Sequence, residues 1–135
     1  MKTKLTQFTQ EIILKASPEE LYREIMDSEK HSAFTGAEAI ISQEEGGDFS
    51  VYGGYAYGKN LKLESGKRIE QSWRAREDQW PEDCMSTIVF TFKKLDEERT
   101  KLEFIQKDIP EAVAETFKKG WMDYYWNPLE KKYNK

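Results

Sequence analysis

The sequence is poor in the residues that build disulfides and metal centres. Its 135 residues include one cysteine, Cys84, and one histidine, His31. A single cysteine excludes an internal disulfide, and together with a single histidine it excludes a zinc site built from Cys and His ligands. We therefore predict no metal and no other cofactor, and we expect Cys84 to be an inert thiol in a reducing, cytoplasmic setting.

Long apolar runs and long basic runs are also missing. The N-terminal segment MKTKLTQFTQEIIL lacks the continuous apolar core of a signal peptide, and no stretch resembles a transmembrane helix. The formal net charge is −4, and basic residues are interspersed with Glu and Asp. Because a nucleic-acid partner requires a basic stripe that neutralises phosphates, we expect neither nucleic-acid binding nor membrane insertion.

The composition that remains is that of a globular protein. Apolar residues make up 38% of the chain, charged residues 34% and aromatic residues 13%. This balance, together with the chain length, predicts one domain over residues 1–135 with a core of its own.

The N-terminal part carries clear signals for a strand followed by two short helices. Alternating apolar residues predict a strand over residues 5–14. Ser17 with Glu20 three positions later is typical of a capping box, so a helix begins there and ends near residue 27. A second short helix or turn over residues 28–36 ends at Gly36.

Strands separated by turn residues follow. Glycine-rich and polar turns divide this region into strands at about 38–43, 48–52, 55–64, 67–77, 85–94 and 99–108. Because the connections are short, neighbouring strands must be antiparallel.

A long C-terminal helix is predicted from Glu111 to about Lys132. An apolar stripe recurs at helical spacing, with a second stripe beside it, and a kink is expected at Pro128. Gly120 suggests a close approach of the sheet or a local bend. The first stripe contains Val113, Phe117, Trp121, Tyr124, Tyr125 and Pro128, and the second contains Met122, Trp126, Leu129 and Tyr133.

Several segments resemble a known family. These are SPEELYREIMDSEKHSAFTGAEA, GKRIEQSWR, STIVFTF and KGWMDYYWNPLEKKY. They are similar to the Aha-type family, relatives of the activator of the ninety-kilodalton heat-shock protein ATPase, within the START-like (SRPBCC) superfamily. The resemblance covers nearly the whole chain. It implies an α+β, helix-grip fold, in which a curved antiparallel sheet of about six to seven strands wraps around a long C-terminal helix, with two short helices after the first strand.

The resemblance also bears on function. In eukaryotic activators this fold is the C-terminal module behind a separate chaperone-binding domain. Here the fold begins within a few residues of Met1, so we expect a stand-alone domain that is a monomer or a weak dimer. The wider superfamily includes lipid and hormone carriers and polyketide cyclases, and fold alone does not choose among these functions.

A sheet that grips a helix leaves an apolar pocket wherever side chains do not fill the space between them. We predict no catalytic residue, and we expect the pocket to be lined by residues from the second helix, the sheet and the last helix. The candidates are His31, Phe34, Tyr55, Tyr57, Gln71, Trp73, Phe90, Phe104, Phe117, Trp121 and Tyr125.

Some of these candidates have a structural alternative. His31 is either a polar gatekeeper or general base, or a structural turn histidine, and the structural role is favoured. Gln71 either orients a ligand or satisfies a backbone group at a bulge. Tyr55 and Tyr57 are predicted on one side of a strand, in a pocket wall, on a partner surface or, as the favoured interpretation, in cross-strand packing.

Three functions follow from these observations. The leading hypothesis is a non-enzymatic protein that binds a small apolar or amphipathic molecule in the pocket. The alternative is a stress-response module that contacts a heat-shock chaperone through exposed aromatic residues around Trp80 and Trp126. The third is a cyclase- or hydrolase-like enzyme, which requires His31 or a tyrosine inside the pocket beside a carboxylate of shifted pKa.

Overall fold

The structure is a computed structural model and describes residues 3–134. The elements in chain order are β1 (Leu5–Leu14), α1 (Pro18–Met26), α2 (Ser28–Thr35), β2 (Ile40–Ile41), β3 (Asp48–Val51), β4 (Ala56–Glu64), β5 (Arg68–Ala75), β6 (Ser86–Lys94), β7 (Thr100–Pro110), α3 (Glu111–Trp121) and α4 (Asn127–Tyr133). A 3-10 turn, Tyr52–Gly54, lies between β3 and β4, and a π-helical turn, Met122–Trp126, joins α3 to α4. We refer to α3, the π-helical turn and α4 together as the C-terminal helix.

The strands form one seven-stranded antiparallel sheet in the order β1-β7-β6-β5-β4-β3-β2. Register shifts interrupt the ladders between Thr6 and Phe8 in β1 and between Asn60 and Lys62 in β4. Such bulges increase the local twist of a sheet. The curved sheet packs around the C-terminal helix, which confirms the predicted helix-grip fold.

The two short helices begin and end where the sequence predicted. The Ser17 side chain accepts a hydrogen bond of 3.1 Å from the backbone N–H of Glu20 at the start of α1. Asp27 ends α1 and also caps α2, since its side chain accepts from the backbone N–H of Lys30. Gly36 ends α2 with a φ of 78°, which glycine adopts without a steric penalty.

Trp121 lies at the centre of the core, against the inner face of the sheet. Its ring centroid is 4.4 Å from that of Phe104, and its indole N–H donates a 2.9 Å hydrogen bond to Oε1 of Gln106. The Gln106 amide donates in turn to the Ser86 hydroxyl, which donates to the Trp73 carbonyl. This buried chain of hydrogen bonds fixes the C-terminal helix to β7, β6 and β5, because each member would lose a partner if the helix moved.

The C-terminal helix widens just before Pro128. The backbone N–H of Asn127 donates to the carbonyl of Met122, which is the five-residue hydrogen bond of a π-helix. The wider turn places Trp121 and Trp126 in a stacked pair with centroids 6.0 Å apart. Of the residues in the two predicted apolar stripes, Met122 and Tyr124 have side chains that are 51% and 56% exposed, whereas Trp121, Tyr125 and Trp126 are buried.

Candidate functional site

The space between the sheet and the C-terminal helix is almost completely filled. The interior remnant has a volume of about 10 Å³, and His31, Gln71, Phe90, Trp121 and Tyr125 are among its lining residues. This is too small for an organic ligand, since ligand pockets usually measure several hundred Å³. An interior ligand would therefore require the aromatic side chains to move.

A larger apolar depression lies on the surface of the same region. It has a volume of about 490 Å³ and opens between the C-terminal helix, the 3-10 turn and the end of β5. None of the residues that line it is charged. We call it the aromatic cleft, and it is lined by Tyr52, Tyr55, Trp73, Thr116, Phe117, Gly120, Trp121, Tyr124 and Tyr125.

Tyr52 enters the cleft from a strained backbone. Its φ is 54°, and the next two residues, Gly53 and Gly54, also have positive φ values of 63° and 94°. A left-handed conformation costs a non-glycine residue about 1–2 kcal/mol. The strain is held in place by aromatic packing, because the Tyr52 ring lies 5.6 Å from Tyr124 and 6.3 Å from Tyr125. Strained residues of this kind cluster at binding and switching sites.

Gly120 has no side chain and therefore leaves unoccupied space in the wall of the aromatic cleft. A Cβ atom placed on Gly120 would meet no other atom within 4 Å. The predicted close approach of the sheet at Gly120 is therefore wrong. Because a side chain at this position would project into the cleft, the glycine helps to keep the cleft open.

His31 lies behind the cleft, in a buried pair with Tyr125. Nδ1 of His31 is 2.8 Å from the carbonyl oxygen of Ile25, so this nitrogen must carry the proton. Nε2 therefore accepts a 2.8 Å hydrogen bond from the Tyr125 hydroxyl.

Both groups of this pair stay neutral near neutral pH. Burial lowers the pKa of His31, and the Ile25 carbonyl and the charge of Glu24 only partly oppose that shift. Burial also raises the pKa of Tyr125 well above its usual value. The side-chain hydrogen-bond partner of His31 among the described residues is the Tyr125 hydroxyl, and both side chains are buried, so the geometry matches a structural pair.

The structure brings some of the predicted pocket residues together. Tyr55, Trp73, Phe117, Trp121 and Tyr125 all line the aromatic cleft. The cleft is also lined by Tyr52, Thr116, Gly120 and Tyr124, which were not among the predicted candidates. A usable signal was present for three of them, because residues 116, 120 and 124 recur every four positions along one flank of the helix.

The remaining candidates lie elsewhere. Phe34 packs on His31 and Tyr125 with centroids 5.2 Å and 5.6 Å away, and Phe104 packs under Trp121. Gln71 and Phe90 face the interior remnant. The amide of Gln71 donates a 2.9 Å hydrogen bond to Oδ1 of Asn60, which pairs with Gln71 and borders the bulge in β4.

Tyr55 and Tyr57 do not lie on the same side, so that prediction is wrong. Tyr55 precedes β4 with a helical backbone and faces the cleft, where its hydroxyl donates to Glu77. Tyr57 lies within β4 on the other side, with the guanidinium carbon of Arg76 4.6 Å above its ring. The turn ends one residue later than the alternation pattern suggested.

The predicted exposure of Trp80 and Trp126 is also wrong. Their side chains are 1% and 5% exposed. Trp80 packs against Phe117, and its indole donates to the carbonyl of Cys84. Trp126 donates a 2.7 Å hydrogen bond to Oε1 of Gln10 in β1. Both indole rings are therefore part of the buried core.

Within residues 3–134, no helix is long and apolar enough to cross a membrane. The same residues contain no group of three or more His, Cys, Asp or Glu side chains arranged to hold a metal ion.

A seven-stranded antiparallel sheet that grips one long C-terminal helix defines a START-like (SRPBCC) helix-grip protein. A family model described as "Activator of Hsp90 ATPase homolog 1-like protein" matches residues 15–133. The chain belongs to this family, as the resemblance of its segments predicted.

The relatives of the chain agree with this assignment. It is 35% identical over 105 residues to an activator of 90 kDa heat shock protein ATPase homolog from Dictyostelium discoideum, covering 78% of this chain and 27% of the relative. It is also 35% identical over 114 residues to homolog 1 from Homo sapiens, covering 84% of this chain and 33% of the relative. The chain thus spans about a third of the length of these relatives.

A solved structure extends the similarity to the whole fold. An HSP90 activator from Plasmodium falciparum superposes with a TM-score of 0.86 at 25% sequence identity. The match covers 92% of this chain and 93% of the solved chain.

Proposed function

We propose that this domain is a non-enzymatic module that contacts a heat-shock chaperone of the Hsp90 type. The observation that carries the proposal is the family match over residues 15–133, in a chain whose relatives are named as activators of the 90 kDa heat-shock protein ATPase. These relatives are about three times as long as the matched region, so the partner is proposed for this chain and is not transferred from them.

The geometry supports a binding role. His31 is buried and neutral behind Tyr125, so it does not face the aromatic cleft. At the edge of the cleft, the side chain of Tyr124 on the C-terminal helix is instead presented to solvent and is more than half exposed. Exposed apolar surface of this kind marks an interaction surface more often than a catalytic centre.

The test is a direct binding measurement. The purified domain is titrated into the Hsp90-type chaperone of its own organism by calorimetry, and chaperone ATPase activity is measured with and without the domain. We expect binding in the micromolar range that is typical of transient contacts, together with a changed ATPase rate. An unrelated acidic protein of similar size is the control. Absence of binding together with an unchanged ATPase rate would refute the proposal.

A second candidate function is the binding of a small apolar or amphipathic molecule, now in the surface cleft. The observation that favours it is the volume of about 490 Å³ with a predominantly aromatic lining. Volumes of about 300–1,000 Å³ are typical of ligand sites. Titration with fatty acids, sterols and flavonoid-like aromatics should shift the backbone resonances of Gly120 and Tyr124, and the hypothesis fails if none of them does.

Two further predictions concern the location and the oligomeric state of the protein. A cytoplasmic location fits both functions. A monomer or weak dimer is expected in solution, and sedimentation velocity over a hundredfold range of concentration would measure it.

A further inference from the structure

A strongly acidic loop follows β5. Residues 77–83, EDQWPED, contain the carboxylates of Glu77, Asp78, Glu82 and Asp83 and no Lys or Arg. None of these carboxylates forms an ion pair with a cation of residues 3–134. We call this segment the acidic loop.

The acidic loop adjoins the aromatic cleft. Its central residue, Trp80, packs on two cleft residues, with ring centroids 5.7 Å from Trp73 and 5.5 Å from Phe117. At the start of the loop, Glu77 accepts a hydrogen bond from the hydroxyl of Tyr55, another cleft residue. Glu77 therefore lies at the edge of the cleft, and the buried Trp80 ring holds the acidic loop against the wall of the cleft.

Neighbouring cations do not neutralise this surface. Arg74 is buried, and its guanidinium donates to the backbone carbonyls of Trp80 and Pro81. Arg76 is stacked over a tyrosine ring and donates to the carbonyl of Gly54. On the helix side of the cleft, Lys119 is paired with Asp123 at 2.5 Å.

Carboxylates of the acidic loop and of its surroundings also act on Cys84, the residue that follows the loop. The pKa of the Cys84 thiol is raised, mainly by burial and then by the charges of Asp83 and Asp108, while Arg74 opposes these effects. One further cation, Lys4, borders the loop beside Gln79. Residues 74–83 contain four carboxylates and two arginines, so the formal charge of this segment is negative.

We propose that the aromatic cleft and the acidic loop form one docking surface for a protein segment that carries an aromatic or aliphatic side chain flanked by Lys or Arg. The inference rests on the proposed chaperone contact and names the chemistry of the partner surface. The apolar side chain fills the cleft, as anchors do at the centre of interfaces. The flanking cations meet the unpaired carboxylates, and these same carboxylates repel acidic segments.

Synthetic peptides test the proposed preference for an aromatic side chain flanked by cations, and this test does not require the chaperone. Each probe has one central tryptophan, flanked on both sides by two lysines, two serines or two glutamates. Binding is followed by NMR on the labelled domain, through the resonances of the cleft residues. We expect the lysine peptide to bind about 10-fold more tightly than the glutamate peptide at low salt, with the difference largely lost at about 0.5 M salt.

Gly120 supplies a variant that blocks the cleft without disturbing the core. Gly120→Leu should weaken the lysine peptide at least about 10-fold, because the new side chain projects into open space that the tryptophan would occupy. Gly120→Ala is the matched control, since it adds one methyl group and should change the affinity less than about 2-fold. Thermal melts of both variants confirm that they are folded.

Charge reversal tests the loop separately. The double variant Glu82→Lys with Asp83→Lys should remove the preference for the lysine peptide. Glu97→Lys with Glu98→Lys is the matched control, because these residues lie in the turn between β6 and β7 and are not among the cleft residues. We expect this control to keep the preference of the natural sequence.

The possible results distinguish failure of the docking-surface proposal from failure of the proposed chaperone contact. Cleft binding of the lysine peptide without chaperone binding supports the docking surface and refutes the chaperone contact. Equal chaperone binding by the natural sequence and by Gly120→Leu keeps the chaperone contact and overturns the docking surface. Equal affinity for the three peptides, shifts confined to residues outside the cleft, or binding of neutral small molecules alone also overturns it.

Discussion

Replacing Gly120 by alanine should stabilise the domain. Gly120 lies inside the continuous C-terminal helix, where glycine is about 1 kcal/mol less favourable than alanine because of its backbone freedom in the unfolded chain. Its φ is not in the left-handed region, and the added methyl group would meet no atom within 4 Å. The entropy gain is therefore not offset by steric strain, so the free energy of unfolding should rise by about 1 kcal/mol.

This free energy converts into a measurable melting shift. An unfolding entropy of about 2.1 cal/mol/K per residue gives about 0.28 kcal/mol/K for this chain, so Tm should rise by about 3–4 °C. Scanning calorimetry measures the shift. Urea unfolding should show a higher midpoint with an unchanged slope, because the surface exposed on unfolding stays the same.

Gly53 supplies the control for this prediction. A Cβ at Gly53 would also meet no atom within 4 Å, but its φ is 63°. The same substitution there should lower the free energy of unfolding by about 1–2 kcal/mol, since alanine resists the left-handed conformation. A lower Tm for Gly120→Ala, or shifts of the same sign at both positions, would refute the reasoning.

Three further predictions concern the buried polar groups. Tyr125→Phe removes the donor to Nε2 of His31 and leaves a buried acceptor unpaired, so urea unfolding should show a loss of about 1–3 kcal/mol. Trp121→Phe should cost at least about as much by the same assay, because it leaves Oε1 of Gln106 without its indole donor. Since the folded-state pKa of His31 is lowered, the unfolded chain binds more protons: His31 should destabilise the fold progressively as the pH falls below about 6.5. His31→Gln should flatten the dependence of stability on pH between about 7 and 5, and an unchanged slope would contradict the assignment.

Local signals predicted the elements of the fold well. The helix start at Ser17 was predictable because its capping partner, Glu20, is three residues away. The end of α2 was also predictable, because Gly36 ends the helix in a left-handed conformation that favours glycine. Alternation placed Ile69, Gln71 and Trp73 on the inner face of β5, where all three side chains are buried. Each of these features depends on neighbours within a few residues, which a single sequence displays directly.

Features set by distant residues were not predictable in this way. Trp126 is buried because its indole reaches Gln10, 116 positions earlier in the chain. Trp80 is buried because its loop folds back onto Phe117. The π-helical turn brings Trp121 and Trp126, which are five residues apart, into one stacked pair, and the period of a regular α-helix does not predict such a pair.

The closed interior and the open cleft have a common cause. Trp73, Trp121 and Tyr125 border both spaces, the remnant of about 10 Å³ on one side and the cleft of about 490 Å³ on the other. Opening the interior would require moving one of these rings. Moving Trp121 would break its hydrogen bond to Gln106, and moving Tyr125 would leave Nε2 of His31 unpaired in the core. Each such loss costs about 1–3 kcal/mol, whereas a side chain bound in the cleft would break none of these buried hydrogen bonds. This difference is the reason to propose binding at the surface cleft and not in the interior.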